Sequence, residues 1–444
     1  MLGVLGALAS TARAGSADDP KVQFEKYTLP NGLEVILAPD SRVPLVAVNV
    51  WYHVGSGDET PGKTGFAHLF EHMMFQGSKN VGADRHFEIL RKLGSDEING
   101  TTNSDRTNYF EVVPANQLET GLWLESDRMS HLLDILDVNE MNNQIDVVRN
   151  ERRQRYDNVP YQKAWWAILA ALYPEGHPYR YQTIGKHEDL VAASVDDVKN
   201  FYRTWYVPAN ATLALVGDFD PAAAKQLVAK WFGSFPASQK PHVVTIPPPS
   251  PAASTQTVED PFAKLPQIQF AWISPAQYAP GDVELDIAGA ALATEGTGRL
   301  YKALVYDQQL AQRVSASQQG QGFSGVFTIT VQLRSNADPA RVREIVDAEL
   351  AKLAREPLGD KEIHRVVAAE ESRAVFRLEG LNARANMLQD YNHYLGDPGK
   401  LGFDLDRYRG ATAEQIRAAV AMFLTPAHEV VAITKPAAAA GGAK

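Results

Sequence analysis

The stretch that decides the reading is Gly65-Phe66-Ala67-His68-Leu69-Phe70-Glu71-His72-Met73-Met74-Phe75. Its apolar residues recur at helical spacing, which predicts a helix over about Gly65 to Gln76. On a helix, positions i, i+3 and i+4 share one face, so His68, Glu71 and His72 stand together. Phe66, Leu69, Phe70, Met73 and Phe75 make this a buried helix, where unpartnered imidazoles and carboxylates are costly. A divalent metal supplies the missing partner. Zinc in a catalytic site takes three protein ligands and keeps one position open. It lowers the pKa of a water there, and a neighbouring carboxylate can take the proton. His68 and His72 are therefore metal-ligand candidates, and Glu71 is the candidate general base. The alternative is an amphipathic helix with two incidental histidines.

A third ligand has to come from elsewhere. The run VVRNERRQRYDN places Glu151 mid-helix among Arg149, Arg152, Arg153 and Arg155. From the residues alone, Glu151 is either that ligand or a salt-bridging residue on a solvated helix face.

Outward from the motif, Asn31-Gly32 between the apolar runs 24–29 and 33–37 marks a hairpin. Alternation from Val46 to Val54 predicts a half-buried strand. A helix follows at about Phe87 to Leu93, a strand-like segment from Thr101 to Val113, and helical patterns over 115–157 and 161–172. The run Ile246 to Ser254, IPPPSPAAS, is too proline-rich for a helix or central strand. Two helix–proline–strand joints, at Pro208-Ala209-Asn210 before Thr212–Val216 and at Pro426-Ala427-His428 before Val430–Ile433, suggest a duplicated unit of roughly 210–220 residues. The strand Val46–Val54 has a counterpart in Gln267–Ile273. The expected class is α+β, with two related domains of mainly antiparallel sheet and helices. The expected boundaries are 1–20 for a signal-peptide remnant or disordered tail and 21–236 for the metal-bearing domain. A Pro-rich linker covers 237–262, a related domain without a metal site 263–436, and a disordered tail 437–444.

Composition excludes several classes. The chain has 444 residues, 45% hydrophobic and 22% charged, which fits more than one globular domain. Lys and Arg total 43 against 53 Asp and Glu, a formal charge of -10, and no basic run offsets it, so nucleic acid and anionic membrane are poor partners. Cysteine is absent, which removes thiol catalysis, cysteine zinc sites and disulfides. Residues 1–14, MLGVLGALASTARA, resemble the end of a secretory signal without its basic head. That points to a periplasmic or secreted protein, with the cytoplasm as the alternative. No later stretch reaches the roughly 20 apolar residues of a spanning helix.

Taken together, the motifs TLPNGLEVIL, HVGSGDE, TGFAHLFEHMMFQGS, INGTTNSDRTNYF, VVRNERR, GHPY, YVPANATLALVGD and GTGRLYKALV resemble the inverzincins, the zinc peptidases of the pitrilysin, insulysin and mitochondrial processing peptidase type. The resemblance covers nearly the whole chain. It implies Glu151 as the third ligand of one Zn2+ per chain, and hydrolysis of peptides or unfolded segments. The alternatives are a non-catalytic scaffold of the same fold and another metal hydrolase or iron enzyme. The family also implies that peptide binds by strand addition, here along Asn99, Gly100, Thr101 and Thr102. Where relatives carry a further glutamate seven residues before the ligand, this chain has Gln144. The family's substrate-holding Arg and Tyr of the second half are not recognisable: Arg334 has no tyrosine near it, and Arg299 with Tyr301 sits in a helix start. That gap implies a site completed by a partner, a paralogue lacking the metal motif or else a second copy. His53, His177, Trp165 and Trp166 read as structural residues.

Overall fold

The computed structural model describes residues 19–95, 97–242 and 246–437. Of the expected terminal segments 1–20 and 437–444, all but residues 19, 20 and 437 lie outside that range.

Two sheets organise the chain. The first contains β1 (Glu25–Thr28), β2 (Glu34–Pro39), β3 (Leu45–Tyr52), β4 (Ile98–Thr102), β5 (Thr107–Pro114) and β6 (Ala211–Gly217), in the order β1-β2-β6-β3-β5-β4. The second contains β7 (Ser254–Asp260), β8 (Gln267–Ser274), β9 (Ala311–Gln319), β10 (Gly325–Leu333) and β11 (Val430–Pro436), in the order β7-β11-β8-β10-β9. Each sheet has one parallel pair, β2–β6 and β7–β11, and is otherwise antiparallel. Strand for strand the two orders coincide once β1 is set aside. The fold is α+β and the unit is duplicated, with the Pro-Ala joints at 208 and 426 forming matching 3-10 turns ahead of β6 and β11.

The hairpin forms where Asn-Gly predicts it. Gly32 has φ 96°, and a Cβ there would lie 2.7 Å from that of Ala209. Three expectations change. Residues 254–260, assigned by composition to the linker 237–262, form the edge strand β7. Its outward residues are Thr255, Thr257 and Glu259 and its inward ones include Ser254 and Gln256, so hydrophobic periodicity does not mark it. The segment 101–113 is a hairpin, broken by an Asx turn in which Asn103 Oδ1 accepts from the amides of Asp105 and Arg106. The helical run 115–157 is interrupted: Leu118–His131 ends in a 3-10 turn, and Asp137 caps Val138–Arg152 by accepting from the amides of Asn139 and Glu140.

The strand β3 is buried on both faces from Val46 to Tyr52. Its inner face meets the main core of the first half, including Phe66, Leu69 and Phe70. Its outer face is covered by a helix from the second half, Leu381–Leu395. Leu381, Ala385 and Leu388 pack there on Ile36, Ala47, Val112, Ala214 and Val216. Asn49 donates to Asn382 and Asn386 at 3.0 Å each, and Gln389 donates to the carbonyls of Asn49 and Thr212. The reciprocal contact is made by Gln162–Leu172 of the first half. Ala164, Ile168 and Leu172 pack on Ala271, Val326, Val430 and Ala432 of the second sheet. Each half thus lends a helix to the other's sheet.

Candidate metal centre

The motif helix runs Phe66–Met73. Gly65 starts it at φ 91°, where a side chain is strained and would also meet the carbonyl of Ile184 at 2.9 Å. Glu59 caps it. Its carboxyl oxygens accept from the amides of Gly65 and Ala67 at 2.8 Å each, at a helix N-terminus that favours negative charge, while burial pushes the group up to about 8. Glu59 lies seven positions before Phe66, too far for any capping pattern in the sequence to flag it. Phe66 and Phe70 anchor the buried face against Phe201, and Phe70 also packs on Tyr202 and Tyr206.

The opposite face carries His68, Glu71 and His72. The helix Val138–Arg152 lies beside it, seated by Met141, Ile145 and Val148, and brings Glu151 in from its last turn. One Glu151 oxygen is 3.1 Å from His72 Nε2 and 3.7 Å from His68 Nε2. One ligand atom from each of the three residues lies within 4.8 Å of the others. Two ligands of a tetrahedral zinc, each at about 2.0–2.2 Å, stand roughly 3.4 Å apart, so these separations fit a shared ion. Arg155 donates to the other Glu151 oxygen at 2.9 Å and fixes the carboxylate.

Electrostatics suit ligation. Burial, then the neighbouring His72 charge, pushes His68 down to about 4, so its ring is neutral at physiological pH. The hydrogen bond from His72, then the charges of His68, His72 and Arg155, holds Glu151 below the usual range against a burial effect that raises it. Burial raises Glu71, while the Thr102 hydroxyl, donating at 2.6 Å, opposes that rise. A π-helical turn, Arg153–Asp157, follows directly after Glu151 and its helix.

The strand β4 is the outer strand of its sheet, with β5 as its one neighbour. It contains Asn99, Gly100, Thr101 and Thr102 and runs past Glu71. A Cβ on Gly100 would approach Glu71 Cγ to 3.0 Å and Phe75 to 3.1 Å, so the glycine lets helix and strand lie close. The side chains of this segment are already engaged. Thr102 binds Glu71, Thr101 donates to Asn108 at 2.6 Å, and Asn99 accepts from the Gly100 amide at 3.0 Å. Arg106 holds the Thr101 carbonyl at 2.8 Å and lies over the Trp51 ring. Neither Glu59 nor Arg106 was singled out by the sequence reading.

Gln144 is buried and lines a small apolar cleft with Met73, Leu132 and Leu136. Arg299 is paired with Glu362 at 2.7 Å, and Arg334 reaches the Ala311 carbonyl at 3.5 Å. His53 is half-buried against His393, with Nδ1 atoms 2.7 Å apart, and His177 caps the turn Pro178–Arg180. Trp165 packs on the core beneath the second sheet, and Trp166 lies under the Arg152 guanidinium.

Residues 34–177 match the family model "Insulinase (Peptidase family M16)", and residues 192–370 match "Peptidase M16 inactive domain". The chain belongs to peptidase family M16. Zinc protease PqqE of Helicobacter pylori is 27% identical over 83% of this chain and 83% of its own. Uncharacterized zinc protease YmxG of Bacillus subtilis is 25% identical over 81% and 86%. Among solved structures, a protease from Helicobacter pylori superposes with a TM-score of 0.87 at 25% identity, covering 94% of this chain and all of that one. The periplasmic protease PqqL from Escherichia coli superposes with a TM-score of 0.77 at 17% identity, covering 96% of this chain and 48% of that one. This M16 chain therefore shares its two-sheet fold with proteins named as proteases. No described helix is long and apolar enough to cross a membrane.

Proposed function

We propose that this M16 chain is a zinc metalloendopeptidase acting on peptides or unfolded segments. His68, His72 and Glu151 hold one Zn2+, and Glu71 serves as general base. The observation that carries the reading is the convergence of two imidazole nitrogens and one carboxylate oxygen within 4.8 Å, with a second carboxylate on the same helix face. Zinc held there would polarise a scissile carbonyl and lower the pKa of water beside it. Glu71, lifted by burial, is placed to accept a proton from that water and pass it to the leaving amine. The hydroxyl of Thr102 keeps the Glu71 carboxylate oriented while this happens. The open side of β4 offers main-chain groups to an extended peptide along Asn99 to Thr102.

One feature supports completion of the site by a second M16 chain. Arg299 and Arg334 are engaged in their own half. The favoured partner is a paralogue without the metal motif, and a second copy is the alternative. A periplasmic or secreted location rests on residues 1–14 and on the likeness to the periplasmic protease PqqL.

The test is peptide cleavage with and without candidate partner chains, with zinc content recorded alongside. Glu71→Gln should keep zinc and lose cleavage. A Glu71→Gln protein that cleaves normally removes Glu71 from the role, and full activity as an isolated monomer removes the partner. A chain that never cleaves, while binding zinc with every partner tried, returns the reading to a scaffold.

A further inference from the structure

Ionisable groups outside the metal centre meet in the core of the first half. Glu111 comes from β5, Glu125 and Arg128 from the helix Leu118–His131, and His86 from the helix Arg85–Lys92. His86, Glu111 and Glu125 each offer a ligand-type atom within 4.8 Å of the other two. Glu111 and Glu125 are 0% exposed, Arg128 1% and His86 2%. Arg128 donates to both oxygens of Glu125, from Nε at 2.9 Å and from Nη2. Both oxygens of Glu111 and Nε2 of His86 are buried and have no hydrogen-bond partner. Each such atom costs about 1–3 kcal/mol if left so, and an unpaired charge on a carboxylate in that position costs more.

A divalent cation fits the residue types but not the charges. Glu125 already gives both oxygens to Arg128, and the guanidinium would repel a metal beside it. Two carboxylates and one guanidinium leave a single negative charge in a closed site. A divalent ion would overshoot to a single positive charge, whereas one proton neutralises the cluster. We propose that this cluster binds one proton at neutral pH, carried by Glu111, whose two oxygens are buried and unpartnered. A neutral carboxyl costs far less to bury there than a carboxylate without an ion-pair partner. Gly121 makes room for this, since a Cβ there would stand 3.4 Å from Glu111 Oε1.

The surrounding charges agree. Burial, reinforced by Glu125 and opposed by Arg128, pushes Glu111 well above the ordinary carboxyl range. Burial and Arg128 hold His86 neutral. Tyr109, two residues before Glu111 on β5, is raised by burial and stays protonated.

The proton sits behind the motif helix. Arg128 lies over the rings of Phe75 and Tyr109, at 5.1 and 4.4 Å. His86 meets Phe75 edge-on at 5.5 Å, and the Tyr109 hydroxyl donates to the Phe70 carbonyl within the helix at 3.1 Å. Loss of the proton leaves an uncompensated charge among the side chains that seat this helix.

A carboxyl raised in the folded state binds its proton more tightly there than in the unfolded chain. Stability from this group is therefore greatest in acid and falls as pH rises above about 4.3. The experiment is urea unfolding of the full chain from about pH 5 to 9, comparing wild type with Glu111→Gln. The wild type should lose stability towards high pH relative to the variant. Its unfolding at neutral pH should also release about one proton more. Parallel curves with equal proton release overturn the proposal, as does a second tightly held metal ion per chain. Should Glu111→Gln fail to fold, the infrared spectrum of the wild type decides. A deuterium-sensitive carboxylic acid band at neutral pH supports the proton, and its absence overturns it. None of these readouts uses peptide cleavage, so the outcome is separate from the peptidase reading.

Discussion

Thr102 donates its hydroxyl proton to Glu71 across 2.6 Å, joining the edge strand β4 to the motif helix. The residue that resemblance assigns to peptide binding thus spends its side chain on the candidate base, leaving only its main chain for a substrate. A hydrogen bond to a charged group contributes about 1.5–3 kcal/mol. Thr102→Val should therefore lower kcat by about tenfold to a hundredfold, with zinc content unchanged, and Thr102→Ser should restore most of it. Steady-state peptide kinetics with metal analysis check this, and an unchanged kcat rejects the orienting role.

Removing the candidate acidic ligand gives a different signature. Glu151→Ala leaves His68 and His72 with no third protein donor and frees Arg155 from its partner. Zinc stoichiometry after dialysis should fall from about one per chain towards zero. Retained zinc moves the third ligand elsewhere.

Gly100→Ala tests the close approach of strand and helix. The added methyl meets Glu71 Cγ at 3.0 Å and the Phe75 ring at 3.1 Å. Glu71 must give way, so cleavage should drop by about tenfold or more while the protein stays folded. Wild-type kinetics in the variant show that the strand has room to retreat.

Acid sensitivity should arise away from the metal centre. His53 and His393 are half-buried side by side, and desolvation holds His393 down at about 4 and His53 well below the ordinary range. An unfolded histidine takes its proton near 6.5, so between about pH 6.5 and 4 the unfolded chain binds protons that the folded chain refuses. The pair's contribution is then stability present above about pH 6.5 and lost as pH falls towards 4. Denaturant melts across that window check it. His393→Phe should flatten the slope, and an unchanged slope assigns it to other groups.

Leu388→Ala probes the shared helix. Leu388 is 1% exposed and packs on the first sheet from the second half. Truncation should cost about 2–5 kcal/mol, read as a lower urea midpoint for the whole chain. A loss confined to signals from the second half contradicts the packing described.

Much of this was legible beforehand, because the signals were local. Asn31-Gly32 can hardly be other than a hairpin, and His68, Glu71 and His72 are one helical turn apart in the text itself. The approach of Glu151 depended on the resemblance, since nothing in its arginine-rich surroundings separates a ligand from a surface salt bridge. What stayed hidden was non-local. β7 is a polar edge strand whose alternation carries no hydrophobic contrast, so it was absorbed into the linker. β3 looked half-buried because the helix that covers Ala47 and Asn49 lies more than 300 residues later in the chain. Glu59 caps the motif helix through a loop whose path only the folded chain defines.

The reciprocal loan of Gln162–Leu172 and Leu381–Leu395 has a consequence for how the molecule comes apart. Neither half alone can cover both faces of its own sheet, so a cut within Ile246–Ser254 severs one peptide bond without releasing a fragment. The proline tether serves to raise local concentration during folding, after which the interlocked halves hold each other and melt as one body.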